Sequence, residues 1–186
     1  MLAGEWYHAS DPELQSLLTA GQEKLRDLNS LPNEDVHSRY ALLCAFFQRF
    51  GEGTQLRSPF LCDYGWNIHI GRNGFINYDC VFLDCNRIDI GDNAQIGPGV
   101  HIYTALHPVD PEQRRAGVEA ALPVRIGNNV WIGGRSVICP GVVIGDDAVI
   151  GAGSVVVSDI PPGVVAVGTP CRPVRSVTAK DEKPRM

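Results

Sequence analysis

Five histidines, six cysteines and a pair of arginines near the C-terminus are the side chains of this 186-residue sequence best suited to chemistry. An imidazole, with an ordinary pKa of about 6.5, can take a proton from a hydroxyl near neutral pH and hand it on. The histidines are His8, His37, His69, His101 and His107. His107 stands apart from the rest. It lies in residues 104–122, a stretch of prolines and charges that interrupts a strictly periodic sequence, and Pro108 stiffens the chain directly after it. A residue placed where a regular element gives way to a long ejected loop is expected to be exposed yet fixed in space, as a general base must be. His69 and His101 each precede a core aliphatic residue, Ile70 and Ile102, so they face outward, and His69 reads as structural or interfacial. The cysteines (Cys44, Cys62, Cys80, Cys85, Cys139, Cys171) show no C-x-x-C pair and no regular disulfide spacing. They read as reduced thiols, several of them core residues, which favours the cytoplasm. Cys85 and Cys139 lie nearest the candidate site segments, but neither has an adjacent base, so a nucleophilic thiol is not expected. Arg172 and Arg175 have forked, permanently charged donors suited to phosphate, although their spacing alone is that of a solvated face. There is no glycine-rich phosphate loop and no metal-ligand spacing.

The elements that must position these groups announce themselves by period. From Ile126 to Val156 an aliphatic residue stands at every sixth position: Ile126, Ile132, Ile138, Ile144, Ile150, Val156. A small or β-branched residue follows four places after each of the first five: Val130, Ser136, Val142, Ala148, Ser154. Neither a helix nor a simple strand repeats in six, but each hexad can form one face of a β-helical coil, with the aliphatic side chains stacked in columns. Two shorter runs keep the period, Ile70–Ile76–Phe82–Ile88 and Ile90–Ile96–Ile102. They are out of phase by two residues, which implies a bulge or a shifted corner. The repeat region spans about residues 68–157, or roughly five coils at three hexads each.

The N-terminal third differs in kind. Ser10-Asp11-Pro12-Glu13 reads as a helix start, and Leu14, Leu17, Leu18, Leu25 and Leu28 follow at helical spacing. Asn33-Glu34-Asp35 opens a second helix carrying Val36, Tyr40, Leu43, Phe46, Phe47 and Phe50, which Gly51 is placed to end. Two amphipathic helices would cap the open end of a solenoid. The expected division is a helical cap over residues 1–57, a β-helix over 58–177 with an ejected loop at 104–122, and a disordered tail over 178–186. The net charge of −5 argues against nucleic acid and anionic membranes. No apolar stretch approaches the roughly 20 residues of a membrane span, and the first residues lack the pattern of a secretory signal.

Five collinear stretches narrow the reading. They are Ala3-Gly4-Glu5-Trp6-Tyr7, Asn67-Ile68-His69-Ile70-Gly71, Tyr103-Thr104-Ala105-Leu106-His107-Pro108, the segment from Ile126 to Gly133, and Asp159-Ile160-Pro161-Pro162 with the closing Gly168-Thr169-Pro170-Cys171-Arg172. Together they resemble the galactoside/maltose O-acetyltransferase family over about residues 2–177. The resemblance implies a left-handed parallel β-helix, a homotrimer with active sites between subunits, and acetyl transfer from acetyl-CoA to a hydroxyl of a sugar or related acceptor. The left hand rests on the resemblance alone, since the general preference for right-handed crossovers points the other way.

Carried over residue by residue, the resemblance makes His107 the catalytic base. Gly134, at a position often serine in the family, and Trp131 become coenzyme contacts. Ala152, Val157 and Ser158 fall along the pantetheine groove, and Arg172 and Arg175 at the phosphates. For the acceptor it implies Asn77, Asp84 or, one residue along, Cys85, with Asp63 where some relatives have serine, and Asp11 from the N-terminal segment. Direct attack by the acceptor requires no acetyl-enzyme and no metal. Acceptors of other kinds, including a lipochitooligosaccharide backbone, fit the same machinery. Two rivals remain: a γ-class carbonic anhydrase, with three histidines around zinc, and a structural β-helix without catalysis.

Overall fold

In a computed structural model, which describes residues 1–178 and Asp181, the six-residue period becomes a coil with one parallel sheet on each of three sides. The first sheet holds Arg49–Phe50, Ile68–Ile70, Ile88–Ile90, Val124–Ile126 and Val143–Ile144, and Ile160 bridges to Ile144 at its end. The second holds Gln55–Leu56, Phe75–Ile76, Gln95–Ile96, Trp131–Ile132, Val149–Ile150 and Val164–Gly168. Cys171–Ser176 folds back antiparallel on the last of these. The third holds Phe60–Cys62, Cys80–Leu83, His101–Tyr103, Val137–Ile138 and Val155–Val156. The chain makes about six turns of a mainly β solenoid.

Each hexad aliphatic points inward and stacks on its counterpart. Ile70 pairs in register with Ile90, Ile132 with Ile150, and Ile102 with Ile138, and all are at most 3% exposed. Burying each such side chain stabilises the fold by about 1.5–3 kcal/mol. The small residues four places on fill the corners: Val130, Ser136, Val142, Ala148 and Ser154 are all buried. At one corner Asn73, Asn93, Asn129 and Asp147 recur with φ between 55° and 60°. Asn and Asp tolerate this left-handed conformation better than other residues with a side chain.

The solenoid starts one coil earlier than residue 68, which accounts for the sixth turn. Phe50, Leu56 and Cys62 keep the six-residue spacing and the inward position, but with residue types that hide the repeat. The phase slip also has a structural cause. Phe50, Ile70 and Ile90 are register partners twenty residues apart, whereas Ile126 and Ile144 are eighteen apart. The two additional residues enter at the corner from the third sheet to the first. There three strands of the first sheet gain a second inward residue: Ile68 with Ile70, Ile88 with Ile90, and Val124 with Ile126. In the third coil the same corner carries all of residues 104–122.

Helices α1 (Pro12–Ser30) and α2 (Val36–Phe46) cover the first coil. Asp11 caps α1 by accepting from the Glu13 amide, and Asp35 caps α2 by accepting from the Ser38 amide. The second helix ends at Phe46 instead of reaching Gly51, because Arg49–Phe50 is already drawn into a strand beside Ile68–Ile70. Leu25 and Leu28 are buried against the coil, while Leu17 stays exposed. Buried Arg39 ties the cap down, its guanidinium donating to the carbonyls of Leu28, Leu31 and Leu56 and to the Ser58 hydroxyl. Apart from Thr178 and Asp181, the tail over 178–186 lies outside the described residues.

Candidate active site at two corners of the coil

The ejected segment is an ordered hairpin. Buried Thr104 anchors its base, its hydroxyl donating to the Leu83 carbonyl and accepting from the Asn86 amide. Ala105–Leu106 pairs antiparallel with Val118–Ala121, and helix α3 (Pro111–Arg115) forms the far end. Tyr7–His8 then adds to the other edge of Val118–Ala121, through Tyr7 opposite Glu119 and His8 opposite Val118. His107 follows directly on the first hairpin strand, so its backbone is held by a sheet while its side chain is 59% exposed.

Around His107 the structure gathers groups from three distant parts of the sequence. Nδ1 of His107 is 3.9 Å from Oε1 of Glu119. The Tyr7 hydroxyl donates to Oε2 of Glu119 at 3.2 Å. Cys85 Sγ donates to Oδ2 of Asp63 at 3.4 Å. Burial pushes the Asp63 carboxyl above its ordinary range, opposed by its bond with Cys85. The Cys85 thiol is pushed up to about 12, mainly by burial and then by the Asp63 charge. At neutral pH it is therefore a weak donor and not a nucleophile. Burial also raises the Tyr7 hydroxyl, which keeps it protonated and donating.

Asp84 has a different occupation. It is fully buried, with Oδ1 accepting from the amides of Asp63 and Tyr64 and Oδ2 from the amide of Asn67. Its carboxylate is spent on holding the corner, and its neighbour Cys85 is the one that meets Asp63. Asp11 likewise serves as the cap of α1, three residues after His8, with its carboxylate on the Glu13 amide.

A second feature lies at the next corner, from the second sheet to the third. Asn77, Pro98, Trp131, Gly134, Ala152 and Arg175 line a groove along the outer face of the second sheet, with Gly97, Gly133 and Gly151 forming its floor. Gly97, Gly133, Gly134, Gly151 and Ala152 keep part of its lining small, and a Cβ at Gly134 would stand 2.9 Å from the Pro98 carbonyl oxygen. Trp131 is 57% exposed and offers a flat apolar face. At one end Arg175 makes two 2.8 Å bonds to the carboxylate of Asp181. Val157, Ser158 and Arg172 do not line this groove. Ser158 and Arg172 meet round the next edge, where the guanidinium is 3.5 Å from the serine hydroxyl.

The groove and the His107 cluster thus stand on opposite edges of the third sheet, and no residue is shared between them. Glu119 and Tyr7 were not singled out from sequence as site residues. No sequence pattern marks Glu119; the pairing of Ala105–Leu106 with Ala120 and Ala121 returns it beside His107. Among the described residues no group of three or more His, Cys, Asp or Glu could hold a metal ion, and no helix is long and apolar enough to cross a membrane.

Comparison with known proteins places the fold in a family. Residues 1–51 match the maltose acetyltransferase hexapeptide capping motif, and residues 123–158 match the bacterial transferase hexapeptide (six repeats). The chain is 51% identical over 172 residues to nodulation protein L of Rhizobium meliloti, covering 92% of this chain and 94% of that protein. It is 43% identical over 162 residues to galactoside O-acetyltransferase of Escherichia coli, covering 87% and 80%. Among solved structures, a maltose O-acetyltransferase from Clostridium difficile superposes with a TM-score of 0.93 at 46% identity, covering 95% of each chain. A galactoside acetyltransferase in complex with coenzyme A gives a TM-score of 0.94 at 40% identity, covering 99% of this chain and 92% of that one. By sequence, fold and capping motif together, this chain belongs to the galactoside/maltose family of hexapeptide-repeat O-acetyltransferases.

Proposed function

We propose that this chain transfers the acetyl group of acetyl-CoA to a hydroxyl of a sugar, with His107 as general base. The observation that carries the reading is His107 itself: an exposed imidazole on a sheet-anchored hairpin, beside Glu119, which bonds Tyr7, with the Asp63–Cys85 pair close to these two. The acceptor hydroxyl attacks the thioester carbonyl as His107 removes its proton; the new C–O bond forms, the C–S bond breaks, and the proton passes to the departing coenzyme thiolate. The groove fits the donor. Small residues such as Ala152 and Gly134 let an extended pantetheine arm approach the backbone, and Trp131 offers it an apolar wall. Arg175 at the end of the groove, with Arg172 near Ser158, supplies charge for phosphates. Asn77, at the groove, and Asp63, near the base, are the acceptor- and intermediate-facing polar groups.

Base and groove occupy opposite edges of one sheet, which favours a reacting carbonyl held between neighbouring copies. A ring of three copies, each presenting its groove to the next copy's hairpin, supports the proposed homotrimer with sites between subunits. The cytoplasm is the proposed location, in keeping with acetyl-CoA as donor and with six free cysteines.

The test is thiol release from acetyl-CoA across a panel of galactosides, maltose, glucose and chitooligosaccharides, for the unmodified chain and His107→Ala side by side. Acceptor-dependent release that falls by about 10²-fold or more in the variant is expected. Release unchanged in the variant would remove His107 from its role.

A further inference from the structure

We infer that Asp181 is a displaceable occupant of the coenzyme's phosphate subsite, an inference that rests on the proposed binding of acetyl-CoA along the groove. Its carboxylate sits where a phosphate would sit, and the coenzyme enters by exchanging with it. Trp131, Val149 and Val165 stand side by side on adjacent parallel strands of the second sheet, and Arg175 follows on the antiparallel strand opposite Val165. All four line the groove, in a row of about 14 Å at about 4.8 Å per strand. Among the described residues of that lining, Arg175 is the one cation and Asp181 the one acid. They meet fork to fork. Nη1 and Nη2 of Arg175 each donate to a different oxygen of the Asp181 carboxylate, both at 2.8 Å. The Thr178 amide donates to Oδ2 at 2.9 Å, and the Thr178 hydroxyl at 3.3 Å.

A guanidinium fork joined by an amide and a hydroxyl suits a phosphate as well as a carboxylate. Competition favours the phosphate. A monoester carries about −1.5 to −2 charge at pH 7 and three acceptor oxygens, against one charge and two oxygens for Asp181. The exchange needs no unfolding, since the side chains of Arg175 and Asp181 are 43% and 27% exposed. Protonation does not free Arg175 at working pH, because the Arg175 hydrogen bonds and then the Thr178 amide lower the Asp181 carboxyl to about 2. A competing anion must clear it. An exposed ion pair is worth a factor of about 2–5 in an equilibrium, so Asp181 weakens coenzyme binding without blocking it. It acts equally on acetyl-CoA and on the coenzyme A left after transfer, and so limits the hold of the spent coenzyme on the groove.

The test titrates coenzyme A by calorimetry into the unmodified chain, Asp181→Asn, Arg175→Ala and the double variant. KM is measured in parallel for acetyl-CoA and for S-acetylpantetheine, which carries no phosphate. Asp181→Asn keeps the shape and removes the charge, so coenzyme A is expected to bind about 2- to 5-fold tighter. KM for acetyl-CoA should fall to match, while KM for S-acetylpantetheine stays unchanged. In the Arg175→Ala background the gain is expected to vanish, because nothing remains for Asp181 to cover. Unchanged or weaker coenzyme binding in Asp181→Asn would overturn the inference. So would an equal gain for S-acetylpantetheine, or a gain that persists without Arg175, since either would make Asp181 a steric cover over the groove. If S-acetylpantetheine is not turned over, the double variant decides alone. Coenzyme A that binds Arg175→Ala as tightly as the parent would instead defeat the assignment of Arg175 to phosphate. Failure of the unmodified chain to bind coenzyme A would defeat the proposed function, a result distinct from the others.

Discussion

Asp84 has no contact with water, yet its two carboxylate oxygens receive three backbone amides from the corner at residues 63–67. Those hydrogen bonds favour the charged form and burial opposes it. Burial wins, and the carboxyl is raised from 3.8 to about 6. An acid whose pKa rises on folding holds its proton more tightly in the native state. Its contribution to stability is therefore complete below about pH 4 and is lost as pH climbs to about 6. Asp63, raised in the same direction, adds to the trend. Asp84→Asn cannot titrate and places an amide group against the Asn67 N–H. Thermal melts should thus show the variant less stable than the parent, with a larger gap at pH 4.5 than at pH 7.5. A gap that widens toward high pH would refute this account of Asp84. The same residue marks a limit of reading by resemblance: sequence placed Asp84 and Cys85 equally well at the acceptor, and only burial separates a carboxylate that holds the backbone from a thiol that meets Asp63.

At the scale of the element, α1 lies so close to the coil that one of its helical positions has room for hydrogen only. A Cβ on Gly21 would be 2.6 Å from the Tyr64 carbonyl oxygen and 3.1 Å from that of Asp63. Two effects of Gly21→Ala compete. Helix propensity favours alanine by about 1 kcal/mol, while overpacking against backbone costs about 1–3 kcal/mol. Because the obstructing atoms belong to the corner that Asp84 fixes, they cannot yield, and the clash decides the sign. The melting temperature of Gly21→Ala is expected to drop by several degrees, with acceptor KM raised because Asp63 shares that corner. A variant melting higher than the parent would mean the helix is free to lift. The two helices were readable from caps and apolar spacing, but the end of α2 was not. Phe50 satisfies a helical stripe and an inward coil position equally well, and pairing with Ile70 settles the choice.

For the whole molecule, the three outer faces differ in character. The outward positions of the first sheet are mostly polar, with Arg49, His69, Asp89 and Arg125 in successive coils. On the third sheet Leu61, Val81, His101, Val137 and Val155 stack outward in a largely apolar column. Leu61 is 52% exposed in the single chain. Under the proposed trimer this column is the expected interface, since it lies between the two half-sites that three copies would join. Sedimentation is expected to give three chains per particle. Val137→Asp is expected to give a smaller particle with an unchanged β-type circular dichroism spectrum and with transfer lost. A trimer that survives the substitution, or a fully active monomer, would place the interface and the site elsewhere.

The sequence by itself determined the coil, because stacking demands an aliphatic residue at every inward position and the demand repeats every six residues. It also determined the odd place of His107, because a proline-rich, charged segment cannot join that stack. It could not determine the first coil, where Phe50, Leu56 and Cys62 fill the column with unrelated types. It could not bring Glu119 beside His107 or Tyr7 beside Glu119, because no local pattern encodes the pairing of the strands that carry them. Tertiary structure decided those, and it decided which carboxylates stay available for chemistry, because burial and backbone hydrogen bonds act through space and not along the chain.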